Sequence, residues 1–267
     1  MVRGRTLYLF AVAICALGAS VGADVITIPD VPSYIWYHGC GPTAAGMIIG
    51  YWDAHGYENL IQGSNDWTTN NYGVKLMIAS PGHILQYVPT PDCNTIPHDD
   101  NCVADFNHCS RDWLNHTTAY GWSGFYWQDD GLRGYAAYQG YTEFSAFNEL
   151  YWDNTFWTWY KAEIDAERPV ELLVDSDGNG ASDHFVTGIG YDNTPDALRY
   201  AFYDTWDHDV HWYEFQMCLK DELFGIYGGT RFLLTVDIPE PASAGLLAAG
   251  VLWLLALGRR VRRAPRS

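Results

Sequence analysis

The chain has 267 residues with 15 Lys+Arg against 32 Asp+Glu. So acidic a balance repels polyphosphate and excludes a nucleic-acid-binding role; what remains is affinity for cationic partners, or an acidity that merely keeps a domain soluble. With 16% aromatic residues the chain is long enough for one domain with a sizeable core.

The N-terminus reads Met1-Val2-Arg3-Gly4-Arg5, an apolar run from Leu7 to Ala19, and the small residues Val21-Gly22-Ala23. That order predicts a secretory signal peptide over 1–23, cut by signal peptidase, and hence export. Fold reasoning starts at Asp24.

Around Cys40, Gly39-Cys40-Gly41-Pro42 is followed by small and apolar residues up to Trp52. Pro42 suits a first helical turn, so the pattern predicts a buried helix that begins just after Cys40. From Asn59 to Gly140 the periodicity fails and Trp, Tyr, Asn, Asp, Gly and His dominate, which predicts long loops and short helices, an insertion or flap over a cleft. Between Glu143 and Glu167, Phe144, Phe147, Leu150 and Tyr151, then Phe156, Trp157, Tyr160 and Ile164 recur at helical spacing, which predicts one or two amphipathic helices. Beyond Pro169 the pattern turns to strands at Val170–Val174, His184–Tyr191, Tyr200–Trp206, Val210–Phe215 and Thr230–Val236, with a turn at Asp175–Gly180. Helices first and an antiparallel sheet later is an α+β layout.

The C-terminus carries Pro239-Glu240-Pro241, an apolar stretch from Ala242 to Gly258, and Arg259, Arg260, Arg262, Arg263 and Arg266. The stretch is long enough to span a bilayer, with the arginines on the cytoplasmic side. Between the two ends, 8 basic and 31 acidic side chains remain, a net of −23. Five cysteines also remain there: Cys40, Cys93, Cys102, Cys109 and Cys218. An odd number in an oxidising compartment leaves one unpaired within the chain. Two of Cys93, Cys102 and Cys109, close together in a polar stretch, are expected to pair locally, and Cys40 is the candidate free thiol.

The order Pro-Glu-Pro, hydrophobic helix, basic cluster resembles the PEP-CTERM sorting signal of Gram-negative bacteria that make exopolysaccharide. The resemblance covers 239–267 and implies recognition by an exosortase, a transient inner-membrane anchor at 242–258, and a final place at the cell surface or in the extracellular matrix. A plain tail anchor is the alternative, since the hydrophobic physics is the same.

A cysteine nucleophile works as thiolate, and a helix N-terminus stabilises S⁻ with partial positive charge and free N–H groups. Gly39 and Gly41 let backbone approach a substrate carbonyl, and the Cys40 N–H is a candidate oxyanion donor. In Asp183-His184-Phe185-Val186-Thr187-Gly188-Ile189-Gly190, alternation puts His184 with Val186, Gly188 and Gly190 on one face, the small residues leaving room for a partner helix. Asp204, at the end of a neighbouring strand, is placed to accept the other ring N–H of the imidazole. The bland alternative for Cys40 is a thiol packed beneath its helix.

Cys40-Gly41-Pro42-Thr43-Ala44-Ala45 opening a helix, then Glu171-Leu172-Leu173-Val174, His184-Phe185-Val186-Thr187 with Gly190-Tyr191-Asp192, and Asp204-Thr205-Trp206, resemble the double-glycine (bacteriocin-processing) leader peptidases, which are papain-like cysteine peptidases. The similarity spans 33–210 with an unmatched middle. It implies a papain-like α+β fold over 24–238, with Cys40 as nucleophile, His184 as general base, Asp204 as orienter, and no required cofactor. One departure concerns the glutamine that this family places shortly before its cysteine as an oxyanion donor: the chain has no Gln before Gln62, and His38 is the candidate replacement.

Asp175, Asp177, Asn179 and Asp183 fall at positions one, three, five and nine of a calcium loop, with Gly180 at six but Val186 at twelve, so a structural calcium and a plain Asp/Asn/Gly turn are both readings. Trp113, Trp122, Trp127, Trp152, Trp157 and Trp159 serve a core or stack on sugars. The functional expectation is an exported cysteine peptidase acting on a peptide or protein. The alternatives are a catalytically weak exopolysaccharide- or peptide-binding protein on the same fold, and a transglutaminase-like acyl transferase.

Overall fold

The computed structural model describes residues 25–37, 39–62, 71–79, 124–194 and 198–235. The predicted signal peptide, the Pro-Glu-Pro tail with its apolar stretch, His38, Cys93, Cys102, Cys109, Trp113 and Trp122 lie outside them. Among the described residues no helix is long and apolar enough to cross a membrane.

In chain order the elements are β1 (Val25–Thr27), α1 (Cys40–Ala54), α2 (Tyr72–Ile78), a short 3-10 turn (Phe125–Trp127), α3 (Gln128–Tyr138), β2 (Phe144–Leu150), α4 (Thr155–Asp165), β3 (Val170–Asp175), β4 (His184–Asp192), β5 (Arg199–Tyr203), β6 (His211–Glu214) and β7 (Gly225–Leu234). The seven strands form one sheet, in the order β2-β7-β3-β4-β5-β6 with β1 beside β4. Every strand pairing in it is antiparallel. β3 and β4 lie at its centre and are buried throughout, which is why they read as near-continuous apolar runs.

The two faces of the sheet take different helices. Glu171 pairs with Thr187 and Leu173 with Phe185 across β3 and β4, so by the period of two these four residues share one face. That face receives α1: the Thr187 hydroxyl donates to the Ala44 carbonyl at 2.9 Å, and Ala44 packs with Leu173, Phe185 and Phe125. On the opposite face Gly188 makes room for α4, since a Cβ there would lie 2.8 Å from the Tyr160 hydroxyl, and that hydroxyl donates to the Gly190 carbonyl at 2.9 Å. Buried Glu163 of α4 is compensated twice, by Arg168 at 2.6 Å and by Arg231 of β7 at 3.2 Å.

Two expectations are corrected. The stretch from Glu143 to Leu150 is strand β2, not helix: the buried positions are Phe144 and Ala146, a period of two masked by the spacing of the aromatics, and pairing with β7 over seven residues stacks Phe144 on Phe232. Only the second half, α4, is helical. The small residues of β4 do leave room for a partner helix, and that helix is α4. The strand expected through Trp206 stops at Tyr203, because the chain turns with Thr205 at φ 71. The other predicted strands form with shifted ends, and β1 was not foreseen.

Candidate active site

Helix α1 begins at Cys40 itself, one residue earlier than the sequence suggests, with Gly39 as its N-cap at φ 143, ψ 138. Such backbone is open to glycine and strained for any side chain. The first turn is tied down by Thr43, whose hydroxyl donates to the Gly39 carbonyl at 2.7 Å and accepts the N–H of Tyr37 at 3.0 Å. Neither an acidic side chain nor a side-chain cap occupies the first turn, so no competing anion offsets the partial positive charge beside the cysteine.

Cys40 is a free thiol, as is Cys218. It is half-buried, packed against the Ala44, Phe125, Leu173, Phe185 cluster beside Leu150 and Tyr227. Burial pushes the thiol up from its ordinary value. The N–H groups of Phe185 and Gly41 pull it down, the Glu171 carboxyl pushes it up further, and the Cys40 N–H pulls it down. β5 pairs with β4 only as far as Tyr203 opposite Thr187, so residues 184–186 of β4 have no partner in β5.

His184, 5% exposed, opens β4. Its Nε2 lies 2.6 Å from the main-chain oxygen of Asp204. A carbonyl only accepts, so the neutral ring carries its proton on Nε2 and keeps its lone pair on Nδ1. The ring stacks on Trp206, centroids 4.3 Å apart at 20°. Burial lowers the His184 pKa, while the Asp204 carbonyl and the charges of Asp183 and Asp204 oppose that. Among the described residues thiol and ring make no direct hydrogen bond; the thiol packs on Phe185, the neighbour of His184 in β4.

Asp204 holds the imidazole differently from the expectation. Its carbonyl, not its carboxylate, accepts the ring N–H. The carboxylate accepts the N–H of Trp206 at 2.7 Å and of Asp207 at 3.2 Å and lies 3.3 Å from Nε2 of His211, which also contacts Asp207 at 3.0 Å. It thus shapes the turn that delivers both the carbonyl and the Trp206 ring. The same turn meets the segment before the cysteine: Trp36 N–H donates to the Thr205 carbonyl, and His208 Nδ1 lies 3.1 Å from the Ser33 carbonyl. His211 went unnoticed in the sequence; the available signal was its i,i+4 spacing from Asp207 at a strand start.

The four calcium candidates stay in one turn but serve its backbone. Asp175 accepts the N–H groups of Gly178, Asn179 and Gly180, Asp177 that of Asn179, Asn179 that of Ala181, and Asp183 the N–H and hydroxyl of Ser176. With buried Val186 at the twelfth position, this donor set fits an Asp/Asn turn better than a cation cage. Among the described residues the His, Cys, Asp and Glu atoms that converge are those of Asp204, Asp207 and His211, within 4.8 Å of one another.

An apolar pocket of about 180 Å³, lined by Leu150, Tyr151, Trp152, Met217, Cys218 and Tyr227, adjoins the thiol: Leu150 and Tyr227 also pack on the cluster that holds Cys40. Of the tryptophans, Trp157 and Trp159 pack on the core, whereas Trp127 and Trp152 are exposed.

Compared with known proteins, residues 28–228 match a family model described as the Peptidase_C39 like family, a span that takes in Cys40, His184 and Asp204. No curated protein matches the chain.

Proposed function

The chain belongs to the Peptidase_C39 like family, with its mixed helix and antiparallel sheet in the α+β papain-like peptidase fold, and from that premise we propose that it is an exported cysteine peptidase with Cys40 as nucleophile and His184 as general base. The observation that carries the reading is a free thiol at a helix N-terminus, packed on the chain neighbour of a buried imidazole whose tautomer is set by the Asp204 carbonyl.

In the resting site burial raises the thiol and lowers the imidazole, so the neutral pair is favoured over a preformed ion pair. Nδ1 of His184 takes the thiol proton as sulfur attacks the scissile carbonyl carbon. The tetrahedral oxyanion is met by N–H groups at the start of α1. Its collapse breaks the C–N bond, and the proton on Nδ1 goes to the leaving amine, leaving a thioester. Water, deprotonated by the same nitrogen, then attacks the thioester; the C–S bond breaks, releasing the acid and restoring the thiol. Family membership supports a peptide or protein as substrate, and the adjoining apolar pocket suits an uncharged side chain of it. Signal-peptide cleavage after Ala23 and exosortase handling of the 239–267 tail complete the proposal.

The test is labelling of the native chain with an epoxysuccinyl or iodoacetamide probe, read by peptide mass spectrometry, beside a peptide-library turnover assay. Labelling at Cys40, with turnover abolished by Cys40→Ala, supports the reading. Cys40 found in a disulfide, or turnover that survives Cys40→Ala, overturns it.

The raised thiol and the exposed Trp36, Trp127, Trp152 and Trp206 favour one second reading, a weakly catalytic protein that holds polysaccharide or peptide on its aromatic surface. Glycan binding indifferent to Cys40→Ser, with no proteolysis, is its signature.

A further inference from the structure

Two glutamates are buried in this fold, and only one is compensated. Glu163 meets Arg168 and Arg231. Glu171, on central strand β3, is 0% exposed and neither of its carboxyl oxygens has a hydrogen-bond partner.

Glu171 lies on the α1 face of the sheet. Its cross-strand neighbours are Thr187 on β4 and Thr230 on β7. Both hydroxyls are committed elsewhere. Thr187 donates to the carbonyl of Ala44, one helical turn from Cys40. Thr230 donates to Asn148 of β2 at 2.7 Å, and Asn148 in turn donates to Asp129 of α3, which sits beside Arg133. The ionisable group that faces Glu171 from α1 is therefore Cys40, from β4 and β7 come neutral threonines, and Asp129 with Arg133 stands behind an amide. An unpaired carboxyl in such a place holds its proton, since the charged form has neither solvent nor counter-ion.

We propose that Glu171 is a charge-setting residue for Cys40: the two acids compete for a single negative charge, so that the thiolate forms only while Glu171 keeps its proton. Two acids close together in a poorly solvated site do not ionise independently; the first charge holds the second proton on, and their titration belongs to the pair. The thiol's own environment agrees: Glu171, once ionised, is the side chain whose charge holds the thiol proton on. A nucleophile beneath which an acid must stay neutral loses reactivity where that acid ionises first, which gives the site an internal brake on thiolate formation.

The inference rests on Cys40 as the reactive thiol of the proposed peptidase, but its test does not require turnover. Iodoacetamide alkylation of the Cys40 peptide is followed by mass spectrometry across pH in the full-length chain, in wild type and in Glu171→Gln and Glu171→Leu. The wild-type rate is expected to rise over a range wider than a single-proton curve. Both variants should follow a single-proton curve that coincides with wild type at the acid end, where Glu171 holds its proton, and label up to about tenfold faster between the two wild-type steps, the effect of the roughly one pH unit at which coupled steps separate. A wild-type curve that fits one proton overturns the proposal even if the variants fail to fold, and superimposed curves for wild type and folded variants overturn it as well. If Cys40→Ala leaves turnover intact, the peptidase reading falls while the titration still reports on the pair; if Cys40→Ala abolishes turnover and the curves superimpose, only this inference falls.

Discussion

Cys40 packs against Phe185, the residue that follows His184 in β4, so the proposed nucleophile and the proposed base are held in register by the strand itself rather than by a side-chain hydrogen bond between them. Helix α1 brings the thiol to a stretch of β4 that β5 has already left.

The pH dependence of turnover follows from the two shifts. His184 lies below its ordinary 6.5 through burial, so its base form persists below that pH and the acid limb of kcat/KM is expected under pH 6.5. Cys40 lies above its ordinary 9.0 through burial, so alkylation by iodoacetamide is expected to keep rising beyond pH 9. A midpoint for alkylation near neutrality, as in a preformed ion pair, contradicts the site as described.

Asp204 acts through its carbonyl, and the substitution that separates the two roles is Asp204→Asn. The amide oxygen still accepts from Trp206 and Asp207, and the main-chain oxygen is untouched, so turnover is expected to fall by no more than about tenfold; an orienting carboxylate lost to an amide costs on the order of 10⁴. Asp204→Ala, which removes the acceptor that shapes the turn, is expected to cost more. Steady-state kinetics on the pair decides.

Trp206 covers His184, and covering is what lowers its pKa. Trp206→Ala is expected to raise the imidazole pKa toward 6.5, and Trp206→Phe to preserve most of the shift, as read by NMR titration of the ring protons. An unchanged value in the alanine variant rules out the indole as the source of desolvation.

Glu171 also leaves a mark on stability. Its folded pKa is well above the ordinary 4.5 because burial disfavours the charge, so the native state holds a proton that the unfolded chain has released. Stability is then complete below about 4.5 and declines as pH rises toward the folded value, by about 1.4 kcal/mol per pH unit. Urea unfolding across pH is expected to show that slope in wild type and a flatter one in Glu171→Gln.

Thr43 fastens the loop before the nucleophile. Thr43→Val removes a donor to Gly39 and an acceptor for Tyr37 at nearly constant volume. The expected cost is about 1–3 kcal/mol in urea unfolding, together with slower labelling of Cys40.

What the sequence made legible was local. Cys40 with Gly39 and Pro42 announced a helix start, and the apolar run of β4 announced a buried strand, because glycine, proline and continuous burial act on neighbours in the chain. Phe144 to Leu150 misled because its large aromatics fall at helical intervals while Ala146 and Asn148, which set the true period, are small or polar; pairing with β7, some eighty residues on, decides the matter. The carbonyl of Asp204 and the His211 contact were not legible, since any residue offers a carbonyl and a turn of positive φ at Thr205 carries no mark in a threonine. Glu171 was read only as part of a strand motif, its burial being a property of the sheet centre.

The early stop of β5 at Tyr203 has an evolutionary corollary. Had the ladder run two residues further, Asp204 and Thr205 would have been drawn into the strand and the carbonyl that holds His184 displaced, so the placing of the base depends on a strand of fixed length. Changes of composition in the turn after Tyr203 are tolerable wherever a residue of β6 can still brace it; insertions that let the hairpin zip up are not, and variation across related chains should be substitution-rich and length-poor there.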